Sequence, residues 1–394
     1  MSNKFDYIIV GGGVVGLATA YKLQLKYPQK TIAILEKENS VGSHQTGKNS
    51  GVIHSGIYYK PNSYKAVNCK KGREQLVDFA QKYNVTHDIC GKVIVAVNQQ
   101  EVALLDKIFE RGQINGTPGI ELLDSNQVKE KEPFVEGMKA IWVPSAGIID
   151  YVELCQRFVD QTQVINPKSK LFTDCKVIDI KGDSIQSNKG DFYSEKVIFC
   201  TGLFADRVAK KDQVSLDLKI VGFRGDYYEM TEAAKHKVQN LIYPVPDPKF
   251  PFLGVHFTPM TDGRVECGPN AVFSFKREGY KRTSFSLKDS FEALTYQGTW
   301  KLFARHWRKG IEEYRRAFSK KLFVKELQRM IPSITMDDVV YARAGVRAQA
   351  LDDYGNLVDD FKIEVIGNHV HVLNAPSPAA TSCLAIADQI VEKI

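Results

Sequence analysis

The first 36 residues constrain the fold most. Residues 5–10 (FDYIIV) read as a short buried strand, and Gly11-Gly12-Gly13-Val14-Val15-Gly16 follows at once. A helical pattern through Leu17, Ala20, Tyr21 and Leu25 leads to a second strand, residues 31–35, which ends at Glu36. Glycine at 11 permits a tight turn. Glycine at 13 lets a pyrophosphate approach the backbone, and glycine at 16 lets helix and strand pack closely. Free N–H groups at the helix start, at Val14 and Val15, offer positive potential to phosphates. Glu36, twenty residues after Gly16, suits a ribose 2′-OH and disfavours a 2′-phosphate. A lone GxGxxG is weak, because any glycine-rich turn can carry it. Strand, helix, second strand and acid together predict a dinucleotide site.

The continuation separates the two common dinucleotides. A nicotinamide domain usually moves on to another plain βα unit. Here a polar loop of small residues runs from Lys37 to Gly56 and can wrap a longer cofactor. Thr46, Asn49, Ser50 and Gly51 can bond the ribityl chain and pyrophosphate of FAD, and Lys37 joins them as a candidate contact. Val177, in a hairpin-like stretch, and the small-residue turn Thr201-Gly202 after the buried run 196–200 are further candidates.

The run HQTGKNSGVIHSGIYYKP (residues 44–61) resembles the L-2-hydroxyglutarate dehydrogenase/oxidase family, FAD enzymes of the D-amino-acid-oxidase-like group. Matching stretches follow in order across nearly the whole chain: FRGDYY (223–228), IYPVPDP (242–248), PFLGVHFTP (251–259), GPNAV (268–272), FKREGY (275–280), AGVRAQALD (344–352) and NAPSPAATS (374–382). Only residues 285–335 match loosely. The resemblance implies an α/β chain with a Rossmann-like FAD-binding domain interleaved with a mixed or antiparallel-sheet substrate domain. The expected division is 1–88, 145–215 and 341–394 for FAD, and 89–144 and 216–340 for substrate. It also implies non-covalent FAD and oxidation of L-2-hydroxyglutarate to 2-oxoglutarate, with electrons passed to oxygen or a membrane quinone. Oxidisers of other hydroxy acids, of amines and of glycerol 3-phosphate share the fold and stay open as alternatives.

Such a reaction needs a base for the hydroxyl proton, cations for the carboxylate, and positive potential at the flavin N1–C2=O edge. In the wider group a Gly-x-Arg holds the carboxylate, which points to Arg347. His54, just past the FAD-wrapping loop, is the expected base, and His256 is its rival. Strand alternation puts Gly254, His256 and Thr258 on one face, with Leu253, Val255 and Phe257 on the other. For a second carboxylate the candidates are Lys48, Tyr58, Tyr59, Arg224 and Tyr243, although Asp226 stands close enough in sequence to neutralise Arg224. At the C-terminus, Asn374, Ser377 and Pro378 are expected beside the flavin. Ser377 is read as the N-cap, and Pro378 as the first turn, of a helix reaching about residue 393.

Charge and cysteine content set the remaining bounds. The chain carries 53 Lys and Arg against 46 Asp and Glu, a net of +7. Residues 276–329 alone hold 15 Lys and Arg against 6 Asp and Glu, a net of +9, so the rest carries −2. Within that segment Trp300, Phe303, Trp307, Ile311, Tyr314 and Phe318 recur at helical spacing. Two readings of the stripe stay open: a helix packed on the second domain, or a surface resting on anionic lipid and a membrane quinone through residues 290–330. No nucleic-acid module is recognisable, so no nucleic-acid partner is expected. Seven cysteines without a CxxC pair suggest reduced thiols and no metal. The glycine-broken stretch 7–21, preceded by Asp6, does not read as a signal peptide. The expected location is the cytoplasm, with peripheral contact at the inner face of the membrane as an added option.

Overall fold

The structure, a computed structural model, describes residues 3–247 and 254–394. Two large sheets organise it. In the first, strand Asn3–Val10 lies between Ile32–Leu35 and Gly190–Phe199. Lys170–Phe172 lies beyond one of these and His369–Asn374 beyond the other, all parallel. Both faces of this sheet are covered, which is why its strands read as unbroken apolar runs. Helices Val14–Lys26, Tyr64–Lys82, Tyr151–Ile165 and Cys383–Glu392 pack on Ile9, Ile32, Ile34 and Ile198. The hairpin Val177–Lys181 and Ser184–Ser187 closes over Ile8, Val10, Ala33 and Leu35.

The second sheet is mixed. Its order is Val272–Phe273, Leu218–Met230, Val265–Gly268, His256–Pro259, Leu241–Pro244, Lys92–Ala96, Lys139–Val143, Glu121–Asp124. Val339–Asp352 also pairs with Leu218–Met230, and only the contact of Leu241–Pro244 with Lys92–Ala96 is parallel among the described residues. One face buries Val93, Val95, Ile242, Phe257 and Cys267 beneath helix Lys320–Leu327. The opposite face carries the side chains considered below. A small sheet of Val52–Ile53, Gly147–Ile149 and His87–Asp88 lies between the two in sequence and carries the chain into His54. The α/β class with a mixed second sheet is the architecture expected above.

Local readings differ in three places. The boundary expected at 341 falls inside Val339–Asp352, whose ladder to Leu218–Met230 runs its whole length; the chain rejoins the first sheet only at Lys362–Ile366. The last helix starts at Cys383, not near Pro378. Residues 376–382 instead form successive turns, with Ala379 N–H bonded to Pro376 O (3.0 Å) and Ser382 N–H to Pro378 O (3.0 Å), so Ser377 is not the N-cap. The strand expected at 251–258 is seen as His256–Pro259; residues 251–253 lie outside the described residues.

Candidate active site

The glycine turn forms a close-fitting cradle. Gly11 has φ +115°, and a Cβ there would lie 2.3 Å from Cys200 O. A Cβ on Gly16 would lie 2.2 Å from Gly11 O, so helix and strand touch backbone to backbone. Glu36 is buried. Its carboxylate accepts from Gly12 N–H (2.7 Å) and Glu38 N–H (2.9 Å), which fixes both oxygens at the end of the strand with lone pairs to spare. Thr46 accepts from Val14 N–H (3.1 Å) through its hydroxyl, tying the polar loop to the helix start. Asn49 holds the same loop, donating to Thr46 O (2.8 Å) and accepting from Gly51 N–H (2.7 Å).

Other expected cofactor contacts converge here. Thr201 follows Cys200, whose N–H bonds Val10 O (2.8 Å), and the buried Thr201 hydroxyl has no hydrogen-bond partner among the described residues. Cys175 N–H bonds Glu36 O (2.7 Å), which brings the chain past the acid just before Val177. A turn of small residues, a fixed acid and an orphaned buried hydroxyl fit a dinucleotide. Lys37 is spent differently: its ammonium sits among Glu38 (2.7 Å), Glu278 (2.5 Å) and His44 (3.0 Å). Asn374 donates to Val358 O (2.7 Å) and Asp360 O (2.8 Å), holding a loop, and Ser377 lies near the Tyr59 hydroxyl.

The second sheet faces this cradle with a cluster of titratable groups. The register pairs Phe223 with Arg347, Ile94 with Tyr243 and His256 with Gly268. Alternation then brings Lys92, Tyr243, His256, Tyr227 and Arg347 onto one face. Tyr243 stacks on His256 at 4.0 Å. His256 Nδ1 lies 2.9 Å from Gly254 O, so it donates there and leaves Nε2 as an acceptor. Burial drives His256 down to about 3, against the Gly254 hydrogen bond; the charges of Arg347 and Lys92 push the same way. His54 is also held near 3, by withdrawal from water and then by Lys92, His256 and Arg347. Both imidazoles are therefore neutral at physiological pH and sit in one positive field.

His54 enters from the other side. Its N–H donates to Thr381 Oγ1 (3.1 Å), and Cys69 Sγ donates to its carbonyl (3.4 Å). Thr381 also donates to Val52 O (3.2 Å), so the C-terminal turns clamp the backbone on both sides of Ile53. The His54 residue is half-buried and its ring makes no hydrogen bond among the described residues, whereas His256 is buried.

Sequence reasoning missed several members. Lys92 is only 1% exposed, and burial lowers its ammonium to about 8. The available signal was a lone lysine opening the apolar run KVIVA. Arg343 binds Glu266 (2.6 and 2.8 Å) and donates to Gly47 O (2.9 Å) and Asn49 O (2.7 Å), joining the sheet to the polar loop. Gln45 accepts from Ala348 N–H (3.0 Å), next to Arg347.

Two candidates point elsewhere. Arg224 follows Phe223, so its side chain takes the face opposite Arg347. There it pairs with Asp226 (3.1 Å) and donates to Lys281 O (3.1 Å). Lys48 extends over the Tyr280 ring at 4.7 Å. Tyr58 and Tyr243 both stand against Lys92, at 4.9 and 5.0 Å.

The aromatic stripe divides. Helix Gln297–Phe318 breaks at His306 (φ −120°, ψ 20°). Phe303 and Tyr314 pack on Phe273, Val221 and Leu351, while Trp300, Trp307, Ile311 and Phe318 remain more than half exposed. The preceding helix exposes Leu287 and Phe291. Among the described residues no helix is long and apolar enough to cross a membrane.

A Rossmann-like cradle facing a sheet of neutral histidines and cations defines a dinucleotide-dependent oxidoreductase. The FAD dependent oxidoreductase family matches residues 6–393. The chain belongs to that family, and its cofactor is FAD. It is 46% identical over 393 residues to an L-2-hydroxyglutarate dehydrogenase of Indibacter alkaliphilus, covering 98% of both chains. It is 42% identical over 412 residues to the human mitochondrial L-2-hydroxyglutarate dehydrogenase, covering 100% of this chain and 89% of that one. Among solved structures, the FAD-bound L-alpha-glycerophosphate oxidase of Mycoplasma pneumoniae superposes with a TM-score of 0.79 at 23% identity. That alignment covers 99% of this chain and 94% of the other.

Proposed function

We propose that the protein oxidises L-2-hydroxyglutarate to 2-oxoglutarate, with residues 1–88, 145–215 and 353–394 holding FAD and the second sheet holding substrate. The observation that carries this reading is the convergence of His54, His256, Lys92 and Arg347 on one side of the dinucleotide cradle. The names and high identity of the relatives support the choice of substrate.

Bound FAD supplies the hydride acceptor. Gly11, Gly13, Val14, Glu36, Thr46 and Thr201 would hold it. Arg347 pairs with the carboxylate next to the reacting carbon and fixes which hydrogen faces the acceptor. His54 takes the hydroxyl proton; its ring is neutral and carries no hydrogen bond among the described residues, while His256 is stacked on Tyr243 and tied to Gly254 O. His256 then orients the hydroxyl through Nε2. Two cations in a water-poor site favour the anion-rich transition state. The helix Cys383–Glu392, whose start lies two residues past Thr381, adds positive potential near His54.

The exposed Trp300–Phe318 face, with Lys301, Arg305, Arg308 and Arg315 around it, supports peripheral binding to an anionic membrane on the cytoplasmic side. Electrons would then reach a membrane quinone. The primary test is anaerobic mixing of holoenzyme with L-2-hydroxyglutarate. Absorbance near ~450 nm should bleach with this substrate and persist with its D enantiomer. Persistence with both enantiomers rejects the reading.

A further inference from the structure

We propose that Lys92, with Tyr58 and Tyr243, forms a subsite for the second, distal carboxylate of the substrate and so makes the enzyme selective for dicarboxylates. The inference rests on the hydroxy-acid oxidation proposed above. It assigns to one cation the selectivity that the sequence spread over five candidates, Lys92 not among them.

Four Lys or Arg residues are buried among the described residues: Lys65, Lys92, Arg224 and Arg277. Three have a carboxylate. Lys65 pairs with Asp359, Arg224 with Asp226 and Arg277 with Asp206. Lys92 has none among the described residues, and its close contacts are the rings of Tyr58 and Tyr243. A cation over an aromatic face recovers only part of what burial of an unpaired ion costs. The hydroxyl of Tyr58 is itself buried and has no hydrogen-bond partner among the described residues. A cation without an anion therefore touches the ring of a donor without an acceptor. One carboxylate satisfies both.

Geometry places this pair on the substrate side. Lys92 opens the strand that pairs in parallel with Leu241–Pro244, and it shares a face with Tyr243 and His256. Its charge is felt at both catalytic imidazoles. Arg347 serves the carboxylate beside the reacting carbon, so a second anion at Lys92 requires a substrate charged at both ends. A monocarboxylate of equal length would leave the ammonium uncompensated, which is how a buried polar site rejects an isostere.

The test compares L-2-hydroxyglutarate with L-2-hydroxypentanoate, in which a methyl group replaces the distal carboxylate. It also uses glutarate, a dicarboxylate without the hydroxyl, followed through the flavin spectrum of the holoenzyme. In Lys92→Met the ratio of kcat/KM for the two hydroxy acids should fall about a hundredfold, through KM, and glutarate binding should weaken by a similar factor. Met removes a desolvated charge at similar size, so the variant's ligand-free Tm should hold or rise. Equal losses on both hydroxy acids, or unchanged glutarate affinity, overturn the proposal. Tyr58→Phe gives a second reading: about fivefold weaker glutarate binding supports the subsite, and none opposes it. Absence of flavin reduction by any hydroxy acid in the wild type would sink the oxidation reading alone, because glutarate binding still reports on Lys92.

Discussion

Arg277 and Lys92 are both buried cations in this fold, and their surroundings are opposite. The Arg277 guanidinium binds both oxygens of Asp206 and donates to Leu203 O (2.6 Å), while Asp206 also accepts from Ile220 N–H (3.1 Å) and Arg207 N–H (2.8 Å). That network is complete within the chain and ties the turn after the parallel sheet to residues 275–278. Lys92 is as deeply buried and has two aromatic rings and, among the described residues, no carboxylate. A charge whose partners are all present maintains the structure; a charge whose partner is missing points to a ligand.

The largest expected effect breaks the complete side. Asp206→Asn leaves the buried Arg277 with Glu292, at 3.6 Å, in place of its two close carboxylate bonds and should cost about 3 kcal/mol of stability. Urea unfolding of the holoenzyme checks this. Lys92→Met should move the midpoint the other way or not at all. If both variants destabilise equally, the contrast between the two cations fails.

The next effect sorts the two histidines. His54→Gln should slow flavin reduction at saturating substrate by about a hundredfold or more, the usual contribution of a positioned base. His256→Gln should act less, about tenfold, if as proposed it orients the substrate and His54 takes the proton. Rapid-mixing absorbance separates them, and the reverse order would make His256 the base.

These roles were unequally legible in the sequence. The cradle was readable because each glycine answers a local backbone need: Gly11 and Gly16 make the close backbone approaches the motif requires, and Glu36 stands fixed at the end of the strand by Gly12 N–H. The pairing of Arg224 with Asp226 was foreseeable from their spacing. Lys92 was not, since its burial arises from pairing between strands some 150 residues apart, Lys92–Ala96 and Leu241–Pro244. The late start of the last helix was hidden for a related reason. Pro378 fits a first turn locally, but Thr381 is held by Val52 and His54, and residues 376–382 form turns instead.

A smaller effect concerns pH. His54 and His256 sit near 3, so no histidine limb should appear in kcat/KM between about pH 5 and 7. Lys92, at about 8, is charged below that value and loses its charge above it. Of the groups around it, Tyr58, Tyr243 and Cys69 are all raised by burial and stay neutral there. The wild type should therefore lose kcat/KM for L-2-hydroxyglutarate above pH 8, and Lys92→Met should lack that decline. Ligand-free stability runs the opposite way. Above about 8 the folded lysine is neutral, while the unfolded one stays protonated up to 10.5, so the wild type gains stability relative to Lys92→Met as pH rises between them. A histidine limb near 6.5, or parallel alkaline profiles for the two proteins, contradicts this assignment.

The smallest effect extends the comparison to the surface. Among the described residues Trp300, Trp307, Ile311 and Phe318 are exposed apolar groups set among exposed cations, as Lys92 is a cation without an anion. Phe303 and Tyr314 of the same helix found their packing partners within the chain, so the remainder is not needed for the core. A bilayer with anionic headgroups would supply both missing partners, acyl chains for the rings and phosphates for Arg305, Arg308 and Arg315. The double variant Trp300→Ser/Trp307→Ser should reduce sedimentation with phosphatidylglycerol vesicles about tenfold while flavin reduction by substrate stays as in the wild type. Raised salt should weaken wild-type binding, because several Lys and Arg contribute. Equal binding to neutral and anionic vesicles, or none to either, would leave the exposed stripe without a lipid partner and confine the contrast between satisfied and unsatisfied groups to the interior.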